Sequence, residues 1–162
     1  MINYKIRQIN PDEIHLLEDF IYEAIFIPEG VVPPPRSIIF NPDIYVYIED
    51  FEKPDDHCLV AESDGKIAGA VWVRILSGPV KGFGNIDDES PEFAISLYPK
   101  YRGMGIGTNL MKSMLSLLRE KGYKRTSLAV QKDNYAVKMY QNVGFVIAKE
   151  LDEEYLMICE LG

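Results

Sequence analysis

The segment YPKYRGMGIGTNLMKSMLSLLREKGY, residues 98 to 123, constrains the fold more than any other stretch of the chain. Gly103, Gly105 and Gly107 alternate through it and then give way at once to a helical pattern. Leu110, Met111, Met114, Leu115 and Leu118 share one stripe of that helix, and Lys121-Gly122 ends it. The preceding PEFAISL, residues 91 to 97, sets Phe93, Ile95 and Leu97 on one face against Glu92, Ala94 and Ser96 on the other, the pattern of a strand. A strand that ends, turns through glycines and opens a helix aims several unpaired backbone N–H groups and the positive end of the helix dipole at one point. Such a turn is an anion site, and Arg102 at its entrance can add a formal charge. Glycine leaves room for a phosphate to approach the backbone and tolerates positive φ.

Two nucleotide-binding readings fail on the letters. A P-loop needs G-x-x-x-x-G-K-[ST], and no Gly-Lys-Ser/Thr follows. A dinucleotide fingerprint needs G-x-G-x-x-G after the first strand of a βαβ unit and an acidic residue ending the second. Here the glycines follow the fourth predicted strand, and the next strand ends in Gln131 and Lys132 before Asp133.

The rest of the chain supplies a sheet around this turn. NYKIRQI, residues 3 to 9, alternates as a strand, and the segment after it predicts a helix with Asn10 as N-cap, Pro11 at its first position and Glu13 closing a capping box. Ile14, Leu17, Ile21 and Ala24 would form its buried face. Residues 27 to 56 are rich in proline and aromatics, and Pro33-Pro34-Pro35 forces an extended stretch. This segment is either a pocket wall presenting Tyr45, Tyr47 and Phe51 or a second short helix packed on the sheet. Asp64-Gly65 between two apolar runs predicts a hairpin, and GPVKGFGN with IDDES reads as a polar loop. RTSLAVQ is a buried strand, NYAVKMYQNV a short helix, and FVIAKELDEEYLMICEL a pair of strands turning at Asp152-Glu153. The order β-α-loop-β-β-β-α-β-α-β-β describes a mixed α/β (α+β) fold around one sheet, and residues 1 to 162 fit one domain.

Composition narrows the partners. A formal charge of −8 argues against nucleic acid, whose phosphates demand a clustered excess of Lys and Arg, and mildly favours a cationic or neutral small substrate. Cys58 and Cys159 show no CxxC spacing and the only histidines are His15 and His57, so no metal site is expected. His57 and Cys58 are neighbours on a predicted strand and should point to opposite faces, which speaks against a Cys/His nucleophile. The first residues, MINYKIRQIN, lack a signal-like apolar region and no run reaches membrane-spanning length, so a cytoplasmic location without membrane attachment is expected.

The letters around the glycine turn resemble the GNAT (Gcn5-related N-acetyltransferase) family. Its diphosphate motif, Arg/Gln-x-x-Gly-x-Gly/Ala, is met by Arg102, Gly105 and Gly107. The later segment NYAVKMYQNVGF resembles the family's Asn-x-Ala-x-x-x-Tyr-x-x-x-Gly-Phe stretch. Together these cover residues 89 to 146, while the first half agrees only in its order of elements. The resemblance implies a GNAT fold, a mostly antiparallel sheet of about seven strands flanked by helices. It also implies acetyl-coenzyme A as cosubstrate, with its pantetheine arm along the backbone of Ile95 and Leu97. Its pyrophosphate would lie on N–H groups from Arg102 through Gly103, Met104, Gly105, Ile106 and Gly107 to Thr108, with Asn134 beside the pantetheine. Asn134 would serve equally well as a helix N-cap.

The implied reaction is attack of a neutral amine on the thioester, with Tyr140 as acid to the departing sulfur and Glu92 or, in the loop before it, Glu89 as base. The expected acceptor is a primary amine of a small molecule, with a peptide as the lesser alternative. A non-catalytic module that senses acyl-coenzyme A is the rival from another class, and the letters leave a homodimer open. In a thermal-shift comparison, acetyl-coenzyme A or coenzyme A at about a hundred times its dissociation constant should add roughly 2.7 kcal/mol, and NADH should add nothing. No rise with either coenzyme A species would make the glycine turn purely structural.

Overall fold

Asp64 and Gly65 have φ of 52° and 75°, the two consecutive left-handed residues of a tight hairpin turn, and they join β2 (His57–Ser63) to β3 (Lys66–Arg74). Around this hairpin the computed structural model, which describes residues 2–162, builds a single sheet. β1 (Lys5–Gln8) borders β2, and β4 (Glu92–Leu97) borders β3. Beyond them lie β5 (Arg125–Gln131), β7 (Glu154–Glu160) and, at the far edge, β6 (Val146–Glu150). Every neighbouring pair is antiparallel except β4 with β5, which is parallel. This is the mixed, mostly antiparallel seven-stranded sheet that the sequence led one to expect.

Both faces are covered, which explains the near-continuous apolar runs of β2 and β3. Leu59, Val71, Val73 and Phe93 face one layer, which holds α3 (Ile106–Glu120) and α4 (Ala136–Val143). The predicted stripe of α3 is buried throughout, and Gly122 at φ 85° stops the helix as expected. Val60, Ala70 and Trp72 face the opposite layer, formed by α1 (Leu17–Glu23), α2 (Pro42–Tyr45) and the residues around them. Among the described residues no helix is long and apolar enough to cross a membrane.

The first helix differs from its expected form. Pro11–Leu16 is a 3₁₀ turn and only Leu17–Glu23 is α-helical. Glu13 Oε1 accepts the Asn10 N–H at 2.8 Å, the expected reciprocal cap, but the same carboxylate is also held by Arg7 at 2.8 and 2.9 Å. Anchored to a β1 side chain, the first turn winds tighter than an α-helix. The buried face is Leu17, Phe20 and Ile21, with Ile14 and Ala24 only partly covered.

The Pro-rich segment combines its two readings. Its prolines run extended and then Arg36–Phe40 and α2 form short helical turns. Trp72 Nε1 donates to the Tyr47 carbonyl at 3.0 Å, and Arg74 donates to the Val46 carbonyl at 2.9 Å and to both Asp56 oxygens at 3.0 and 3.1 Å. Arg74 and Asp56 are 5% and 4% exposed, so this pair is the buried anchor of the segment. Asp56→Ala leaves the guanidinium charged and uncompensated in the interior and should cost about 3–5 kcal/mol in urea unfolding. A loss within 1 kcal/mol, read as about the worth of a surface pair, would show that the anchor lies elsewhere.

Candidate active site

β4 and β5 share a single ladder position, Glu92 opposite Ser127, and then part. Ser127 N–H donates to the Pro91 carbonyl at 3.1 Å, while Tyr98 N–H donates to Ala68 of β3 at 2.9 Å. Strand alternation therefore turns the backbone groups of Ile95 and Leu97 away from β3, toward the gap. A cleft of about 560 Å³ fills it, lined by Ile95 and Leu97, by Arg102, Gly103, Gly105, Gly107 and Thr108, and by Asn134 and Tyr140.

The glycine turn forms one end of this cleft. Gly105, at φ 82°, caps α3 in a left-handed conformation that a side chain would strain, and the next N–H groups, of Ile106, Gly107 and Thr108, have no partner within the helix. Two details depart from expectation, both at Arg102. Arg102 spends its own N–H on the Pro99 carbonyl at 3.2 Å, so the free donors begin after it. Its guanidinium is already engaged, with Nε on the Leu97 carbonyl at 3.1 Å and a terminal nitrogen on Glu23 at 3.0 Å. The charge at the entrance is thus already paired with Glu23, and the Leu97 carbonyl is engaged while its N–H stays free for a ligand. Met104 is 51% exposed and Ile106 lies wholly in the core, so only the backbone of these two could serve the site.

A second cavity of about 270 Å³ adjoins the first, and both are lined by Ile95, Asn134 and Tyr140. Asn134 stands one residue before Tyr135, the N-cap of α4, and accepts the Ala136 N–H at 2.9 Å in a side-chain turn instead of the N-cap position foreseen for it, which leaves its amide nitrogen as a donor. Tyr140 is 9% exposed, its ring edge-on to Phe145 at 6.2 Å, and burial pushes its hydroxyl up to about 12. It therefore carries its proton at neutral pH.

Glu92 lines the second cavity and is 2% exposed. Its Oε2 accepts from the Tyr47 hydroxyl and from the Gly84 N–H at 3.0 Å; its Oε1 has no hydrogen-bond partner among the described residues. Burial pushes this carboxyl up to about 7, against the pull of those two donors and with a further push from Glu154. The Tyr47 hydroxyl is itself held by the Phe83 N–H at 2.9 Å. The loop needs glycine here, because a Cβ on Gly82 would collide with the Glu92 carboxylate and one on Gly84 would sit 2.7 Å from the Ala129 nitrogen.

Glu89, the alternative base, is exposed, lines neither cavity and turns its N–H to Asp87 at 2.9 Å. Of the expected aromatic wall only Tyr47 reaches the cavity; Phe51 is core, beneath the Arg74 guanidinium. His57 and Cys58 do not meet: the imidazole contacts the Tyr123 hydroxyl at 3.2 Å, and burial pushes the Cys58 thiol far up. Sequence reasoning missed the Tyr47–Glu92 bond, the Gly82 and Gly84 cradle and the presence of Glu154 at the cavity. The one signal was Gly-Phe-Gly in a loop that reads as merely polar. Among the described residues no group of three His, Cys, Asp or Glu side chains forms a metal cluster.

Known proteins resemble this chain in sequence and in fold. The family model described as "Acetyltransferase (GNAT) family" matches residues 21–145. The putative [ribosomal protein bS18]-alanine N-acetyltransferase of Bacillus subtilis is 32% identical over 101 residues, 60% of this chain and 59% of that protein. A mycothiol acetyltransferase of Corynebacterium aurimucosum is 34% identical over 91 residues, 56% of this chain and 28% of that protein. The chain therefore matches only part of the length of each of these relatives. In fold it is similar to the PaiA N-acetyltransferase of Thermoplasma acidophilum, solved in complex with coenzyme A, with a TM-score of 0.69 and 16% identity over 98% of this chain and 99% of that one.

The Glu92 shift makes stability depend on pH. Below the ordinary carboxyl value of 4.5 both folded and unfolded chains hold the proton; as pH rises to about 7 the unfolded chain ionises first, and the folded state loses ground. The loss is complete above pH 7 and amounts to roughly 3 kcal/mol at 1.36 kcal/mol per unit. Glu92→Gln, which cannot ionise, should therefore melt higher than the parent at pH 8, with the gain shrinking toward pH 5. A difference that does not change with pH would contradict the shift.

Proposed function

The chain belongs to the acetyltransferase (GNAT) family, and we propose that it transfers the acetyl group of acetyl-coenzyme A to a primary amine of a small molecule. The observation that carries this reading is the meeting of two cavities at Tyr140, with a glycine-capped helix N-terminus on one and a buried, half-unpartnered carboxylate on the other. The relatives carry names as different as [ribosomal protein bS18]-alanine N-acetyltransferase and mycothiol acetyltransferase, so their names do not choose among amines. The acceptor cavity, at about 270 Å³, favours a small molecule over a folded chain end.

The larger cleft fits acetyl-coenzyme A. The N–H groups of Gly103 through Thr108 would receive its pyrophosphate, and the Ile95 N–H and C=O with the Leu97 N–H would pair with its pantetheine amides as an added strand would. An amine enters the second cavity as an ammonium and gives one proton to Glu92 Oε1, the oxygen with no other partner. Its nitrogen lone pair then attacks the thioester carbonyl carbon. As the amide bond forms, the carbon–sulfur bond breaks and the departing thiolate takes the Tyr140 proton; the surplus proton on the new amide nitrogen restores the Tyr140 hydroxyl, and Glu92 releases its own to solvent. A base near 7 and an acid near 12 are each in the correct form at neutral pH.

Thiol release from acetyl-coenzyme A with a panel of primary amines tests the reading. We expect turnover, with kcat/KM rising through about pH 7 as Glu92 ionises. Glu92→Gln and Tyr140→Phe should each lower kcat/KM by about 10²- to 10⁴-fold. Tyr47→Phe removes a donor that holds the Glu92 carboxyl down and should move the rising limb to higher pH. Tight coenzyme binding with no turnover on any amine would overturn the proposal in favour of a sensing role, and full activity of Glu92→Gln would place the base elsewhere.

A further inference from the structure

The charge of the smaller cavity exceeds what the transfer step needs. Two carboxylates line it, Glu92 and Glu154, and no Lys, Arg or His does. Elsewhere the protein compensates its partly buried acids: Glu13 and Glu62 share Arg7, Asp56 takes Arg74, and Glu23 takes Arg102. Glu154, the first residue of β7 and in register with Gln131 of β5, makes no ion pair among the described residues. Its carboxyl is raised by partial burial and by Glu153, and it in turn raises Glu92.

Two uncompensated carboxylates around one apolar cavity repel each other, and a cation brought in from solution relieves both. Glu92 Oε1, buried and without a hydrogen-bond partner among the described residues, marks where the cavity lacks a donor, which the reacting amine supplies. The walls agree with a positive guest: the Tyr47 and Phe83 rings stack 6.3 Å apart and both line the cavity, and aromatic faces attract ammonium groups. The reacting amine accounts for Glu92 alone.

We infer that Glu154 is a subsite for a second cation. The acceptor carries two ammonium groups separated by an apolar chain, one delivered to buried Glu92 for acetylation and the other held by the more exposed Glu154. The same lining disfavours an acceptor bearing a carboxylate, which would find no positive side chain in the cavity. This inference rests on the reading of the chain as an amine acetyltransferase.

Three probes isolate the charges: cadaverine, n-pentylamine, which lacks only the second amine, and lysine, which is cadaverine with a carboxylate. We expect kcat/KM for cadaverine to exceed that for n-pentylamine by about tenfold or more, the effect of one charge-assisted bond, and lysine to trail both. Glu154→Gln should bring the cadaverine to n-pentylamine ratio close to unity. Calorimetric binding of the same probes to the protein with coenzyme A bound gives a readout independent of turnover. If no amine is acetylated but cadaverine still binds about tenfold tighter than n-pentylamine through Glu154, the transfer reading fails and the dication subsite stands. Equal turnover of cadaverine and n-pentylamine, or a ratio that survives Glu154→Gln, overturns the subsite and leaves transfer intact. Lysine used as well as cadaverine overturns the charge argument, and absence of both binding and turnover overturns the inference together with the reading beneath it.

Discussion

The parting of β4 from β5 is the constraint on which the rest of the site depends. A parallel pair normally continues its ladder, and breaking it strands polar backbone groups that cannot stay buried without partners. Here the break comes one residue pair after the strands meet, at Glu92 and Ser127. The groups left over face an open cleft in which a ligand can bond them. The same divergence sets Glu92 at the closed end of the gap and brings the glycine turn, at the far end of β4, to its opposite mouth. One departure from regular sheet structure therefore yields a row of free backbone groups, a glycine-capped helix N-terminus at one end and a pocket at the other, the three parts on which the proposed function draws.

Holding a carboxylate at the apex requires support from distant parts of the chain. Glu92 sits under a loop thinned to glycine at residues 82 and 84 and is hydrogen-bonded by Tyr47, which is 45 residues earlier. Tyr47 is held in turn through its carbonyl by Trp72 and through its neighbour Val46 by Arg74, whose charge is balanced by Asp56. The Pro-rich segment is thus a strut that delivers one hydroxyl. Its prolines and short helical turns give it little regular structure of its own, so buried polar bonds to the sheet fix its place.

This division explains what could be read from the letters. The strands, the hairpin at Asp64-Gly65, the α3 stripe from Leu110 to Leu118 and the glycine turn are set by local chemistry, and each was legible before the fold was known. Glu92 was legible as a face of a strand, and Tyr140 as part of a family pattern. The Tyr47 hydroxyl bond, the Glu154 carboxylate beside the same cavity and the Arg102–Glu23 pair join elements far apart in sequence. Nothing in the local pattern at 47, 154 or 102 announces a partner. Arg102 is instructive, because its letter implied a free charge and only the fold shows that Glu23 and the Leu97 carbonyl already occupy it.

Burial acts on the two candidate proton carriers in the same direction and suits them to opposite tasks. Both Glu92 and Tyr140 are withdrawn from water, and withdrawal disfavours the anion of each. For a carboxyl that starts at 4.5, the rise ends near 7, where it is basic enough to take a proton and still ionised in a useful fraction. For a phenol that starts at 10, the rise ends near 12, where it never ionises unaided and remains a donor. No separate electrostatic device is needed to tell base from acid. The difference lies in the side-chain chemistry, and the two donors from Tyr47 and Gly84 keep the carboxyl from rising so far that it would stop being a base. A cavity that excluded water less well would leave Glu92 too acidic to accept a proton from an ammonium, so the same dryness that costs stability at neutral pH is what would fit its carboxylate for the proposed chemistry.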